Sequence, residues 1–195
     1  VGSLVTAARA VFKSQIQRLV PFGESGKVSG IHLEGPYLAP TRCGAHDPLL
    51  LRDPNVKEIE ELLAIGNGYV KMVTIAPELN GAIDSIKYLV SHGVKVAIGH
   101  SAADFDLALR GVDAGANIVT HFPNAVSKLD DDGHTLADLA LGDTRLFLEM
   151  ILDGHHVSDE TARRICAVAF DRLVMVTDAM CAAGSSDGHY LIGQL

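Results

Sequence analysis

A glutamate and two histidines occupy equivalent places in this sequence, because each follows an apolar run rich in valine and isoleucine. Glu34 ends one such run and is followed at once by a Gly-Pro pair, which must break a strand. His100 and His121 each follow a later run. Imidazole and carboxylate groups together bind divalent ions such as zinc or ferrous iron and can leave a position open for water. We therefore predict that these three residues hold one or two divalent ions.

Asp178 ends another apolar run and is the predicted general base. A carboxylate that stays free of the metal can take a proton from the attacking water and later give it to the leaving group. The simpler alternative is a helix cap, because the alanine and methionine that follow favour helix. The three predicted ligands also have simpler alternatives, since a strand-end glutamate can be solvated and a single histidine is more often structural. Their combination at equivalent positions favours the chemical interpretation.

Further polar residues lie next to these runs. Asp153, His155 and His156 follow the fifth run, where either histidine could donate a hydrogen bond to a developing oxyanion or a sugar hydroxyl. His46 lies in the loop after the first run and is either a substrate contact in a lid or a surface histidine. His32, two residues before the predicted glutamate ligand, is either a core histidine or a group that supports the ligands from behind, as Asp153 could be.

Six apolar runs have the pattern of parallel strands that are buried on both faces, and Gly, Pro, Asn or Asp bound them. We predict strands at residues 28–33, 70–75, 94–98, 117–120, 146–152 and 173–176. Apolar residues at helical spacing predict helices at 53–65, 81–92, 103–114, 135–141 and 158–170, with an opening helix at 4–19.

This alternation fits either an open doubly wound sheet or an eight-stranded barrel. The predicted chemical residues stand at the carboxyl ends of strands, and a barrel brings all of those ends to one mouth, whereas an open sheet spreads them apart. We therefore predict an α/β fold of the metal-dependent hydrolase type: a partial TIM-like (β/α) barrel with about six of the eight strands. The same pattern predicts a single, incomplete domain over residues 1–195.

The composition is that of a folded chain, because 48% of the 195 residues are hydrophobic and only 21% are charged. The formal net charge of -8 argues against nucleic acid or an anionic membrane as a partner. Three cysteines without a CxxC pair predict a reducing compartment, so we expect a cytoplasmic protein. No apolar run approaches the roughly 18 residues of a membrane span, and the first residues do not resemble a signal peptide.

The sequence lacks the GxGxxG, P-loop, GxSxG and HExxH motifs. The usual sequence arguments for dinucleotide, nucleoside triphosphate, serine hydrolase or zincin chemistry are therefore missing. Cys43 and Cys181 lie in loops near the predicted mouth without a visible activating group, so we interpret them as bystanders.

The ordered motifs resemble those of the N-acetylglucosamine-6-phosphate deacetylases of the amidohydrolase superfamily almost from end to end. HLEGP at residues 32–36 is the most specific of them. The others are GAHDP at 44–48, GHS at 99–101, TH and NA at 120–121 and 124–125, DG and HV at 153–154 and 156–157, and VTDAM at 176–180.

This resemblance implies the hydrolysis of an amino-sugar phosphate acetamide to the free amine and acetate, with a divalent zinc or iron ion as cofactor. It implies Glu34, His100 and His121 as metal ligands and Asp178 as the catalytic acid/base. It also implies substrate contacts by a further group: His46, His156 and the backbone of Asn124 and Ala125, the last two near the phosphate.

The sequence departs from the family pattern after Ala125. The family usually presents an arginine there that reaches the substrate phosphate, whereas this chain has Lys128 followed by three carboxylates, Asp130, Asp131 and Asp132. Either Lys128 or His134 replaces the arginine, or the substrate carries no phosphate there. The alternative functions are therefore a related amidohydrolase acting on another amide, or a deaminase.

The chain also lacks the family's first barrel strands and its small β-sandwich, so we expect a fragment of the barrel. Open strand edges favour self-association, which predicts a homo-oligomer such as a dimer. A third functional hypothesis follows from the same observation: an inactive, truncated barrel that binds only a metal or a partner.

Overall fold

In the described part of the chain, seven parallel strands form one sheet, in the same order as they occur in the sequence. The computed structural model describes residues 1–126 and 134–192. The strands are β1 Gly2–Val5, β2 Ile31–Glu34, β3 Val70–Ile75, β4 Lys95–Ile98, β5 Ile118–Val119, β6 Phe147–Ile151 and β7 Leu173–Val176. Parallel neighbours in sequence order, joined by helices, are the arrangement of a (β/α) barrel.

Six α-helices among the described residues connect the strands, and polar caps fix where several of them begin. They are α1 Arg9–Glu24, α2 Val56–Ile65, α3 Ala82–Ser91, α4 Phe105–Asp113, α5 Leu136–Gly142 and α6 Asp159–Ala169. The side chains of Asn55, Asp104, Thr135 and Ser158 accept hydrogen bonds from the first-turn amides of α2, α4, α5 and α6. These bonds satisfy backbone donors that have no partner inside a helix.

The core lies between the sheet and the helices. Apolar side chains at helical spacing pack from the helices onto the sheet, for example Phe12, Ile16, Ile59, Leu62, Ile86 and Leu89. The inner strand β2 is buried throughout, whereas β7 is partly exposed. Such burial is the main favourable term in folding, at roughly 25 cal/mol per Å² of apolar surface. Among the described residues, no helix has the length and apolar character that crossing a membrane requires.

The six predicted strands are confirmed, with β3 and β7 at the predicted bounds. Within the described residues, the structure adds a seventh strand, β1, to the about six that were predicted. The predicted opening helix at 4–19 is wrong at its start and correct from Arg9 onward, because β1 ends at Val5 and α1 begins at Arg9. Leu4 pairs with Leu33 of β2, a contact that local spacing could not reveal. The α/β partial-barrel prediction is confirmed with the corrected strand number.

Candidate active site

Glu34, His100 and His121 meet at the carboxyl ends of β2, β4 and β5. The Oε1 atom of Glu34 lies 3.1 Å from Nε2 of His100 and 3.1 Å from Nε2 of His121. The two Nε2 atoms lie 3.0 Å apart. All three side chains are buried. The structure therefore brings together the three residues that the sequence predicted as ligands.

The hydrogen bonds on the far side of each imidazole indicate which nitrogen carries its proton. Nδ1 of His100 lies 2.8 Å from the carbonyl oxygen of Arg42, and Nδ1 of His121 lies 3.3 Å from that of Asn124. A carbonyl oxygen only accepts, so both Nδ1 atoms donate. In the neutral rings, both Nε2 lone pairs then face the Glu34 carboxylate. Metal-binding histidines commonly have this arrangement, with the other ring nitrogen donating to a carbonyl.

Three convergent lone pairs repel one another unless a positive charge lies between them, so the donor set fits a divalent cation. Burial would raise the pKa of Glu34, but hydrogen bonds and charge from His100 and His121 outweigh it and hold this pKa far below its usual range. Burial opposes a charge on His121, yet the adjoining Glu34 carboxylate raises the pKa of His121 above its ordinary value.

The backbone is left-handed at three of the chemically important positions. The φ angles are +48° at His100, +33° at His121 and +47° at Asp178. Residues other than glycine rarely adopt this region, and such strain concentrates at functional sites. These residues stand just after β4, β5 and β7, where the chain turns sharply into the barrel mouth. The shared conformation turns each side chain away from the strand direction.

His46 is buried at the same mouth, so the alternative of a plain surface histidine is wrong. Its Nδ1 lies 3.3 Å from the backbone nitrogen of Thr6 and 2.9 Å from the Thr6 hydroxyl. Ligand atoms of Glu34, His46 and His100 lie within 4.8 Å of one another, which makes His46 a further candidate ligand by distance. Burial lowers the pKa of His46 to about 4. His46 is therefore neutral at pH 7.

The tautomer of His46 differs from that of the other two histidines. A backbone N–H can only donate, so Nδ1 of His46 accepts from Thr6, and Nε2 carries the proton of the neutral ring. A protonated Nε2 donates hydrogen bonds and does not bind a metal. The chemistry therefore favours His46 as a donor to substrate over His46 as a ligand.

A cavity of about 530 Å³ opens in front of these residues. Its lining includes the predicted residues Asn124, Ala125, His156 and Asp178 as well as Cys181, whereas His155 and His134 do not line it. No helix follows Asp178 in the described part of the chain, so the alternative of a helix cap is wrong. Its carboxylate is exposed to the cavity, and its charge helps to raise the pKa of His121.

Asp153 orients His156 and does not lie behind the metal ligands. Its carboxylate accepts from the amides of His155 and His156 at 2.8 Å and 3.0 Å, and from Nδ1 of His156 at 2.7 Å. The backbone hydrogen bonds hold the pKa of Asp153 well below its usual range. His156 is half exposed, with its Nε2 left free to face the cavity that it lines.

His32 lies behind the metal candidates, buried and hydrogen-bonded through both ring nitrogens. Burial lowers its pKa to about 4. Its partners, Ser3 and Thr74, are functional candidates that the sequence prediction missed. A polar residue in the middle of an apolar strand was the available signal for Thr74. Glu149 of β6 was also missed; burial raises its pKa to about 7.

Lys128 and Asp130 to Asp132 lie outside the described residues. His134 is described and exposed, and its carbonyl oxygen accepts from the amide of Phe105.

The comparisons with known proteins agree with this geometry, although no family model matches the chain. The chain is 37% identical over 188 residues to an N-acetylgalactosamine-6-phosphate deacetylase of Escherichia coli O157:H7, with 96% of this chain and 50% of that protein covered. It is 33% identical over 201 residues to an N-acetylglucosamine-6-phosphate deacetylase of Vibrio furnissii, with 100% and 50% covered.

One solved structure is an aspartate-to-alanine mutant of the Mycobacterium smegmatis N-acetyl-D-glucosamine-6-phosphate deacetylase in complex with N-acetyl-D-glucosamine-6-phosphate. It matches with a TM-score of 0.96 and 44% identity over 99% of this chain and 51% of that one.

The fold and its convergent polar residues define a partial α/β barrel of the amidohydrolase type. More particularly, the chain is a homologue of the N-acetylglucosamine-6-phosphate deacetylases, as its motifs predicted. It spans about half the length of the curated relatives it matches.

Proposed function

We propose that this site hydrolyses the acetamide of N-acetylglucosamine 6-phosphate, or of a close amino-sugar phosphate, to the amino-sugar phosphate and acetate. The observation that carries the proposal is the convergence of Glu34 Oε1 and the Nε2 atoms of His100 and His121 within 3.1 Å. This group opens onto the same cavity as Asp178. The homologues named above are deacetylases of such substrates, which supports the assignment.

Glu34, His100 and His121 would hold a divalent cation, with zinc or ferrous iron as the ions that suit this donor set. When bound, such an ion supplies Lewis acidity and a lower pKa for an adjacent water. The carbonyls of Arg42 and Asn124 fix the tautomers that this role needs. The donor set accommodates one ion, and a second ion would need ligands beyond these three.

Asp178 would act as the acid and base of the reaction. Its carboxylate takes a proton from the water that adds to the acetamide carbonyl carbon. The bond from this carbon to the sugar nitrogen then breaks, and the same proton passes to the departing amine. Acetate and the free amino sugar result, and no redox step is needed.

His46 and His156 would bind the substrate through hydrogen bonds of opposite direction. The Thr6 amide fixes the proton of His46 on Nε2, which can donate to the substrate's carbonyl or hydroxyl oxygen. The Asp153 carboxylate accepts from Nδ1 of His156, so in the neutral ring Nε2 of His156 accepts a hydrogen bond from a sugar hydroxyl. The phosphate would lie against Asn124 and Ala125, where the buried Nδ2 of Asn124 has no partner in the described structure.

The test is acetate release from N-acetylglucosamine 6-phosphate, N-acetylgalactosamine 6-phosphate and unphosphorylated N-acetylglucosamine, with metal content measured on the same sample. We expect turnover of a phosphorylated sugar above that of the free sugar. The galactosamine epimer is included because one relative is named for it. Turnover of an unphosphorylated amide would favour the alternative of a related amidohydrolase. Release of ammonia from an amine substrate would favour the alternative of a deaminase.

A variant pair separates chemistry from folding. Asp178→Asn should lose at least about a hundredfold in kcat while it retains its metal, because a general acid or base contributes roughly 10²–10⁴ in rate. Asp171→Asn, at an exposed position of the turn before β7, is the control and should keep wild-type turnover. Metal-loaded wild-type protein that turns over none of these substrates would contradict the proposal and favour the inactive barrel.

Homo-oligomerisation and a cytoplasmic location remain predictions. Gel filtration with light scattering tests the first of them.

A further inference from the structure

We propose that a chain of hydroxyl groups threaded through His32 positions the metal ligands Glu34 and His121. This hydroxyl chain consists of Ser3, His32, Thr74 and Thr120. The inference rests on the metal centre proposed above. The inference adds three positioning residues, Ser3, Thr74 and Thr120, of which Ser3 and Thr74 lie outside every motif quoted above.

Three consecutive hydrogen bonds form this hydroxyl chain. Ser3 Oγ lies 3.0 Å from His32 Nδ1, and His32 Nε2 lies 2.8 Å from Thr74 Oγ1. Thr74 Oγ1 in turn lies 2.9 Å from Thr120 Oγ1. The bonds join β1, β2, β3 and the residue after β5, and so they connect strands up to 46 residues apart in sequence.

The hydroxyl chain lies directly behind the ligands. His32 precedes Glu34 by two residues on β2, so both side chains point to the same side of the sheet. Thr74 pairs in register with Glu34. Thr120 is joined by a peptide bond to His121, whose backbone has a strained φ of +33°. A shift of any member is therefore transmitted to a ligand within one or two residues.

Gly99 makes the contact between Thr74 and Thr120 possible. It follows β4, the strand between β3 and β5, and a side chain there would fill the space between the two hydroxyls. A Cβ atom on Gly99 would lie 2.9 Å from Thr120 Cβ and 3.0 Å from Thr74 Cγ2. Because Gly99 has no side chain, the hydroxyls of Thr74 and Thr120 on its two sides can form a hydrogen bond with each other. Gly99 directly precedes His100.

Burial gives the hydroxyl chain its rigidity from His32 to Thr120, whereas Ser3 at its other end is exposed. Thr74 is 0% exposed and Thr120 is 3% exposed. Each hydroxyl can donate to one neighbour while it accepts from another, so the proton order along the chain is set by all of its members together. Removing one hydroxyl leaves a buried imidazole nitrogen or hydroxyl without a partner, and the remaining groups must move to find one. A metal centre tolerates only a few tenths of an ångström of such movement.

The experiment is a Co²⁺ titration of the chain, followed by visible absorption and calorimetry. Thr74→Val removes the central hydroxyl and keeps the side-chain shape. We expect it to raise the Kd for Co²⁺ about 10–100-fold, the usual effect of losing a group that supports a ligand. Thr74→Ser restores the hydroxyl and should bind Co²⁺ within about threefold of wild type. Thr120→Val interrupts the chain at a second point and should act like Thr74→Val.

Ser85→Ala is the matched control, because Ser85 is also fully buried on α3 but its hydroxyl has no partner in the described structure. It should lose no Co²⁺ affinity. Wild-type Co²⁺ affinity in folded Thr74→Val or Thr120→Val would overturn the positioning role. An equal loss of Co²⁺ affinity in Ser85→Ala would also overturn it, as would a Thr74→Ser variant that binds Co²⁺ no better than Thr74→Val. A wild-type chain that binds no Co²⁺ would overturn the metal centre itself, so the two failures are distinguishable.

Discussion

The folded chain should lose stability in mild acid because His32 is held neutral. Burial lowers the pKa of its imidazole from 6.5 to about 4. In the unfolded chain, the same ring takes up a proton near pH 6.5. Above pH 6.5 both states are neutral and the folded state carries no penalty. As the pH falls from 6.5 towards 4, only the unfolded state gains a proton, and the free energy of unfolding decreases.

The size of this effect follows from the two pKa values. At pH 5, 1.5 units below the unfolded pKa and about one unit above the folded one, His32 lowers the free energy of unfolding by about 2 kcal/mol relative to pH 7.5. His46, whose pKa is also lowered to about 4, adds a loss of the same sign. Glu149 and His121, whose pKa values are raised, act in the opposite direction. The contribution of His32 to the pH dependence of stability is therefore measured by comparing wild type with a variant that lacks this histidine.

The assay is urea unfolding of wild type and His32→Gln at pH 7.5 and pH 5.0, with a chelator present so that no metal contributes. The variant loses hydrogen bonds and should be less stable at both pH values. Its loss between the two should nevertheless be smaller than the wild-type loss by about 2 kcal/mol. His189→Gln, at an exposed histidine, is the control. If His32→Gln loses as much stability as wild type between pH 7.5 and pH 5.0, the argument for a neutral, buried His32 is refuted.

Three further predictions concern the site and its support. Glu34→Gln should weaken Zn²⁺ binding at least about a hundredfold in chelator-competition assays, since it removes the only charged ligand of the proposed set. Although burial opposes it, the Glu34 carboxylate raises the pKa of His121, so in wild type protons should compete with the metal and the affinity should fall as the pH is lowered. Gly99→Ala should lower the free energy of unfolding in urea by about 1–3 kcal/mol and weaken Co²⁺ binding, because the new Cβ atom would clash with Thr74 and Thr120. Gly142→Ala is the control: its Cβ position has open space around it in the described structure, so neither quantity should change. Arg172→Met should lower the free energy of unfolding in urea by about 2–4 kcal/mol. The guanidinium donates to four carbonyl oxygens at the end of α5 and in the segment before β6. An unchanged urea midpoint would contradict this.

The sequence was sufficient to predict β2 to β7 and the three convergent residues. Short apolar runs bounded by Gly, Pro, Asn or Asp are a local signal, and the six strands predicted from them are present. Glu34, His100 and His121 could be predicted because each stands at the end of such a run, and parallel strands in a barrel bring those ends together. Periodicity and position along a strand are properties of neighbouring residues, so no tertiary information was needed.

The same signal failed at β1, because no Gly, Pro, Asn or Asp separates this strand from the helix after it. The apolar residues after Val5 continue into α1 at helical spacing. Leu4 belongs to a strand because it pairs with Leu33, 29 residues later. The prediction of an opening helix at 4–19 was therefore wrong at its start and correct in its later part.

The sequence by itself thus determined which residue types stand at the barrel mouth, since strand ends are encoded locally. Only the tertiary structure decided what each of them does there. The proton of His46 is assigned by Thr6, 40 residues away in sequence. His32 bonds to Thr74, 42 residues later, and Thr74 bonds to Thr120, another 46 residues later. Tautomers and hydrogen-bond chains depend on which donors and acceptors come within about 3 Å of each other. That proximity arises from the packing of strands distant in sequence, and no local pattern of residues specifies it.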